Sequence, residues 1–165
     1  MRINCPDWIF RSRLAAVVLL ILACLATGAA QVGAQNADAL EQLQINRRKW
    51  QSKEIKNYKF HFNWICFCGL RGRPFIITVR DGKVEDVRYA EGEQRPIEPE
   101  HLERFKTTVD ELFDLVQQAI KRKAYRINVS YDPELGYPKL AFIDYHRNIV
   151  DEELGFRIEN FVVNQ

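Results

Sequence analysis

Cys66 and Cys68, in the stretch WICFCGL, are the residues whose type and spacing come nearest to chemistry. Thiols one residue apart can close a disulfide, exchange with other thiols, or hold a soft metal ion such as copper(I) or zinc. Each reading carries a geometric demand. Along a regular strand, residues two apart stand ~6.6 Å from each other at Cα. Their Cβ atoms project in parallel from one face, whereas a disulfide needs them ~3.8 Å apart. A bond between Cys66 and Cys68 therefore requires the strand to bend or end there, and Gly69 and Gly72 just downstream permit a bend. Thiol exchange is weakened by the absence of a Cys-x-x-Cys at a helix start. Zinc would want four ligands, and His61, His101 and His146 are scattered along the chain. The remaining reading makes both cysteines small hydrophobes that continue an aromatic strand face.

The second candidate is YDPELGYP. Tyr131, Asp132, Glu134, Gly136 and Tyr137, with Asp144 and the later Asp151, Glu152 and Glu153, form an acidic and aromatic cluster. Converging carboxylates could bind calcium, but no ladder of Asp and Asn at one-residue spacing is present. Asp132 and Asp144 could act as a carboxylate pair on a glycoside, yet nothing in the sequence marks a substrate cleft. The same residues also describe a shaped turn: Asp132 before Pro133 starts it, Gly136 supplies a positive φ, and Pro138 ends it. Asn128-Val129-Ser130 fits a glycosylation acceptor but falls inside a strand pattern. No G-x-S-x-G, H-E-x-x-H, phosphate loop or dinucleotide fingerprint occurs, so no catalytic residue, metal ligand or cofactor is assigned.

The elements that must position these residues follow from hydrophobic period. Asn36 to Lys53 has few breakers and sets Leu40, Leu43 and Trp50 on one helical face, with Arg47, Arg48 and Lys49 on a basic, solvated side. From Tyr58 the period becomes two. Tyr58, Phe60, Phe62, Trp64, Cys66 and Cys68 share one parity, and Lys59, His61 and Asn63 the other, which describes a half-buried strand. Phe75 to Arg80 and Lys83 to Tyr89 flank Asp81-Gly82 and predict a tight hairpin. Val84 and Val87 have opposite parity, so either a bulge shifts the register or both strand faces are partly covered. EGEQRPIEPE is a polar loop. It leads to an amphipathic helix capped by Thr108, with Glu111 completing a capping box and Val109, Leu112, Phe113, Val116 and Ile120 as its apolar stripe. Ile127 to Tyr131, Leu140 to Tyr145 and Phe156 to Val163 read as three further strands. The sum is an α+β fold: a mainly antiparallel sheet of about six strands, ordered helix, three strands, helix, three strands.

The leader bounds the compartment. Arg2, Arg11 and Arg13 precede the apolar run Leu14 to Leu25, which gives way to small residues, the pattern of a secretory signal peptide spanning 1–34. Cleavage fits before Gln35, after Val32-Gly33-Ala34, or before Gln31, after Gly28-Ala29-Ala30. Two rivals remain: an uncleaved N-terminal anchor, and a lipoprotein with Cys24 as its lipidated first residue, for which Leu22 is bulky. Removing 1–34 takes away three arginines and one aspartate of the chain's 24 basic and 22 acidic residues, and so leaves a net charge of zero. With no sustained Lys/Arg stripe there is little to neutralise phosphates or anionic lipid, so nucleic acid is not an expected partner, and no stable membrane span is expected after processing. Residues 35–165 form one domain large enough to bury a core without disulfides.

WQSKEIKNYKFHF, ICFC, ITVRDGKVEDV, TVDELFDLVQQAI, VSYDPELGYPKLAFIDY and DEELGF, in this order, resemble a family of exported bacterial proteins, the domain of unknown function 6174. The resemblance covers about residues 49–158. It implies export and one compact domain, and it brings no activity to carry over. The function expected from these observations is a small non-catalytic binding or accessory domain of the periplasm or envelope. It would act through its sheet surface or the YDPELGYP loop on a partner outside the cytoplasm. The alternative is a thiol-redox or metal-handling protein that uses Cys66 and Cys68.

Overall fold

The alternation that begins at Tyr58 is realised as a central strand. A computed structural model describes residues 36–66, 74–90, 107–149 and 151–164. Residues 1–35, on which the expected signal peptide falls, lie outside the described residues, as do Cys68, Gly69, Gly72 and the EGEQRPIEPE stretch. Helix α1 covers 36–51. It is followed by strands β1 (Tyr58–Cys66), β2 (Phe75–Arg80) and β3 (Lys83–Tyr89), helix α2 (Val109–Lys121), and strands β4 (Arg126–Tyr131), β5 (Pro138–Asp144) and β6 (Leu154–Val163). The six strands form one sheet in the order β3-β2-β1-β6-β5-β4, with every neighbouring pair antiparallel. The fold is α+β, in the expected order of helix, three strands, helix, three strands.

Both helices cover one face. Tyr58, Phe60 and Phe62 are buried together with Phe75, Ile77 and Val79 of β2 and Phe156 and Ile158 of β6, the alternate residues of each strand. Trp50 of α1 meets Tyr58, Tyr137 and Phe161 edge-on at 5.5 to 6.4 Å. From α2, all five residues of the expected stripe are buried, joined by Ala119. The capping box at Thr108 and Glu111 is formed. A further cap comes from the sheet: the Val109 backbone N–H donates to the Tyr58 hydroxyl at 3.0 Å. Burial raises the Tyr58 phenol pKa above its ordinary value, which keeps the hydroxyl neutral.

Two details sharpen the sequence reading. The parity change between Val84 and Val87 is a bulge: Ile77 faces Val87, Val79 faces Val84, and the register shifts between Thr78 and Val79. Both valines thereby reach the helix-covered side. Arg47 is only half exposed, because its guanidinium bonds the Asp114 carboxylate at 2.7 Å and ties α1 to α2. The basic side of α1 is therefore Arg48 and Lys49, both exposed. Among the described residues no helix is long and apolar enough to cross a membrane.

Candidate functional site

The YDPELGYP loop is held by its own polar groups. Asp132 Oδ1 accepts from the backbone N–H groups of Glu134 and Leu135 at 3.0 and 2.8 Å. The Gly136 N–H donates to the Asp132 carbonyl, and the Asp132 N–H to the Tyr137 carbonyl. Lys49 of α1 donates its ammonium to the Pro133 carbonyl at 2.9 Å. Gly136 sits at φ +84°, and a Cβ there would lie 2.6 Å from the Asn46 carbonyl oxygen. The loop is thus pressed on α1 at the one position that has no side chain. Tyr137 is buried and stacks on Phe161 at 4.4 Å. Burial first, then the neighbouring Asp132 carboxylate, pushes its phenol up to about 12. Tyr131 stacks on Phe113 at 6.2 Å, and burial raises its phenol as well.

Five of the six loop candidates meet in this turn, and Glu134 is the exposed one. Asp144 does not join them. It faces Arg126 at the far end of the β4–β5 hairpin, while Tyr131 faces Pro138 at the near end. The six residue steps from Pro138 to Asp144 correspond to ~20 Å of strand. A carboxylate pair acting across one glycosidic bond needs at most ~9.5 Å, so Asp132 and Asp144 cannot serve as one. Asp144 instead accepts from the His146 N–H.

The other face of the sheet carries no helix among the described residues. Its residues are the parity partners of the core: Lys59, His61 and Asn63 of β1, flanked by Thr78 of β2 and by Arg157 and Glu159 of β6. The register shift between β1 and β6 places Asn160 at φ +49°, with its amide nitrogen 3.4 Å from His61 Nδ1. Asn63 Oδ1 is buried without a hydrogen-bond partner. A cavity of about 320 Å³ adjoins this face at the sheet end, lined by Asn57, Thr78, Val79, Arg80, Asp81 and Asn164. The alternation from Tyr58 to Asn63 already marked Lys59, His61 and Asn63 as the outward set. The contribution of Asn160 depends on an extra residue in β6, for which a single sequence carries no signal beyond the tolerance of Asn for positive φ.

Cys66 is the last residue of β1, half-buried and opposite Leu154. It is not without a partner of its own. Cys68 lies outside the described residues. Among the described residues no three His, Cys, Asp or Glu side chains gather in a way that could hold a metal ion.

No curated protein and no solved structure matches the chain. A family model does match, over residues 42–163, which runs from within α1 to the end of β6 and takes in both candidate surfaces. The chain belongs to the family of unknown function DUF6174.

Proposed function

We propose that this protein is a small non-catalytic binding or accessory domain that works outside the cytoplasm through the helix-free face of its sheet. The observation that carries the reading is a contrast between the two candidate surfaces. The YDPELGYP loop uses its carboxylate, its backbone groups and both tyrosines to lock itself on α1 and the core. The sheet face instead displays Lys59, His61 and Arg157, and the exposed charges of Lys59 and Arg157 are within reach of a partner that docks there.

The test is capture from the native envelope fraction with three tagged proteins: the natural chain, a Lys59→Glu plus Arg157→Glu variant, and Glu134→Ala. A partner held by the natural chain and by Glu134→Ala, but lost with the charge reversal, supports the reading. Loss with Glu134→Ala alone transfers the role to the loop. The compartment has its own test in the intact mass of the purified protein, which is expected to start at Gln31 or Gln35 and to be soluble. A diacylated Cys24, or a chain that retains Leu14 to Leu25 in the membrane, overturns that assignment.

The second reading is a thiol-redox or metal-handling role for Cys66 and Cys68, whose one-residue spacing suits thiol exchange through a small disulfide ring or binding of a soft metal ion. A ring this small removes little entropy from the unfolded chain and contributes far less than the roughly 2–4 kcal/mol of a long-range disulfide. Replacing both cysteines by alanine is therefore expected to be nearly neutral in chemical denaturation. Replacing both by serine is expected to cost more, because a hydroxyl then stands at the half-buried position 66. If the alanine pair folds and loses a cellular phenotype, or if the natural pair binds copper or is readily reduced, the thiol reading displaces the first.

A further inference from the structure

The two edges of the sheet are built differently. At one end β3 carries a bulge and presents Lys83, Glu85, Asp86 and Arg88, the features that keep an edge from pairing with another chain. At the other end β4 carries no charged residue between Ile127 and Tyr131, the register shift between Ser130 and Tyr131 places its extra residue, Lys139, in β5 rather than in β4, and among the described residues no strand lies beyond it. We infer that β4 is a self-association edge, at which a second copy of this chain adds antiparallel across a two-fold axis at Val129 to join the two sheets.

The backbone fixes the register. The Asp132 N–H and C=O both bond within the hairpin, and because the extra residue at the register shift lies in β5, alternation along β4 turns the backbone groups of its even-numbered residues toward β5 as well. Tyr131 faces Pro138, which has no N–H, so that pair cannot exchange both ladder bonds, in agreement with the same parity. Ile127, Val129 and Tyr131 therefore direct their N–H and C=O groups outward. One antiparallel register satisfies all of them: Val129 opposite Val129 of the second copy, with Ile127 opposite Tyr131 on either side. A register centred on Asn128 would leave the Tyr131 groups unpaired. The chosen register also sets Asn128 opposite Ser130 and Arg126 opposite Asp132, twice by symmetry. Arg126 is exposed and makes no ion pair among the described residues, and Asp132, whose Oδ1 accepts within its own loop, still brings a carboxylate charge to the other end of the strand. The edge is thus complementary to itself in hydrogen bonds and in charge, which commits the site to a second copy.

The test is sedimentation velocity of the protein purified from cells that express the full chain, together with oxidative cross-linking. A concentration-dependent dimer is expected. Arg126→Asp, which sets like charges opposite each other twice, should weaken it about tenfold. Val129→Pro, which removes the N–H at the axis, should abolish it, with circular dichroism to establish that the sheet is retained. Should Val129→Pro fail to fold, cysteines at the exposed positions 128 and 130 decide the matter. These positions would stand ~4.5 Å apart at Cα across the interface, within disulfide range. An equal mixture of Asn128→Cys and Ser130→Cys should cross-link to a dimer well above either variant alone or the natural chain. Protein that stays monomeric at every concentration, cross-linking that ignores the pairing of 128 with 130, or an edge occupied by an extended segment of another protein overturns the inference.

Discussion

Phe113→Ala is expected to destabilise the domain by about 3–5 kcal/mol, lowering its Tm by roughly 10–20 °C, whereas Gln117→Ala, one helical turn away, is expected to cost under ~1 kcal/mol. Phe113 is fully buried, stacks on Tyr131 of the edge strand, and lies beneath the Arg47 guanidinium at 5.8 Å. Removing its ring opens a cavity where α2, α1 and β4 meet, and none of the three can collapse into it without leaving its other contacts. Gln117 is half-buried and only accepts a 3.4 Å bond from Arg47, which keeps its stronger partner Asp114. Thermal unfolding of the two variants measures the contrast. Equal losses would mean that α2 presents a different face to the sheet.

Gly136→Ala is the second large effect, at about 3 kcal/mol. A side chain at positive φ costs ~1–2 kcal/mol by itself. Here the new Cβ would also meet the Asn46 carbonyl oxygen, a backbone atom inside α1 that cannot swing aside. The loop must then lift from α1 and give up the bond from Lys49 to the Pro133 carbonyl. Gly82→Ala is the matched control. Its φ of +73° imposes a similar strain, yet its Cβ would meet nothing within 4 Å, so it is expected to lose only the conformational share. Chemical denaturation of both variants yields the docking contribution as their difference. If the two losses are equal, the loop does not depend on its seat against α1.

Much of this architecture was legible because hydrophobic period depends on residue order alone. The alternation from Tyr58, the stripe from Val109 to Ile120, the Thr108 and Glu111 cap and the Asp81-Gly82 turn are local patterns, and each forms the element it predicts. What was not legible is long-range. Nothing near Arg47 in sequence announces Asp114, and nothing near Tyr58 announces that its hydroxyl caps α2. The candidate loop shows the same limit. Its residues read equally well as a binding surface or as a shaped turn, because carboxylate and glycine serve both, and only the bonds to Glu134, Leu135 and α1 reveal how they are spent. Asp144 was grouped with Asp132 by composition, and the length of β5 separates them.

The pairing of β1 with β6 at the middle of the sheet has a consequence for how the chain is made. Tyr58 meets Val163 and Cys66 meets Leu154, so the first strand synthesised waits for the last. While the polypeptide emerges vectorially, the β2–β3 and β4–β5 hairpins can close as local units, but until β6 is made nothing joins β1 and its hairpin to the other half. Contacts this distant make folding slow relative to a helical protein of the same length. A chain that stops before Leu154 lacks the seam on which both halves depend, and such a truncated chain remains open to proteolysis.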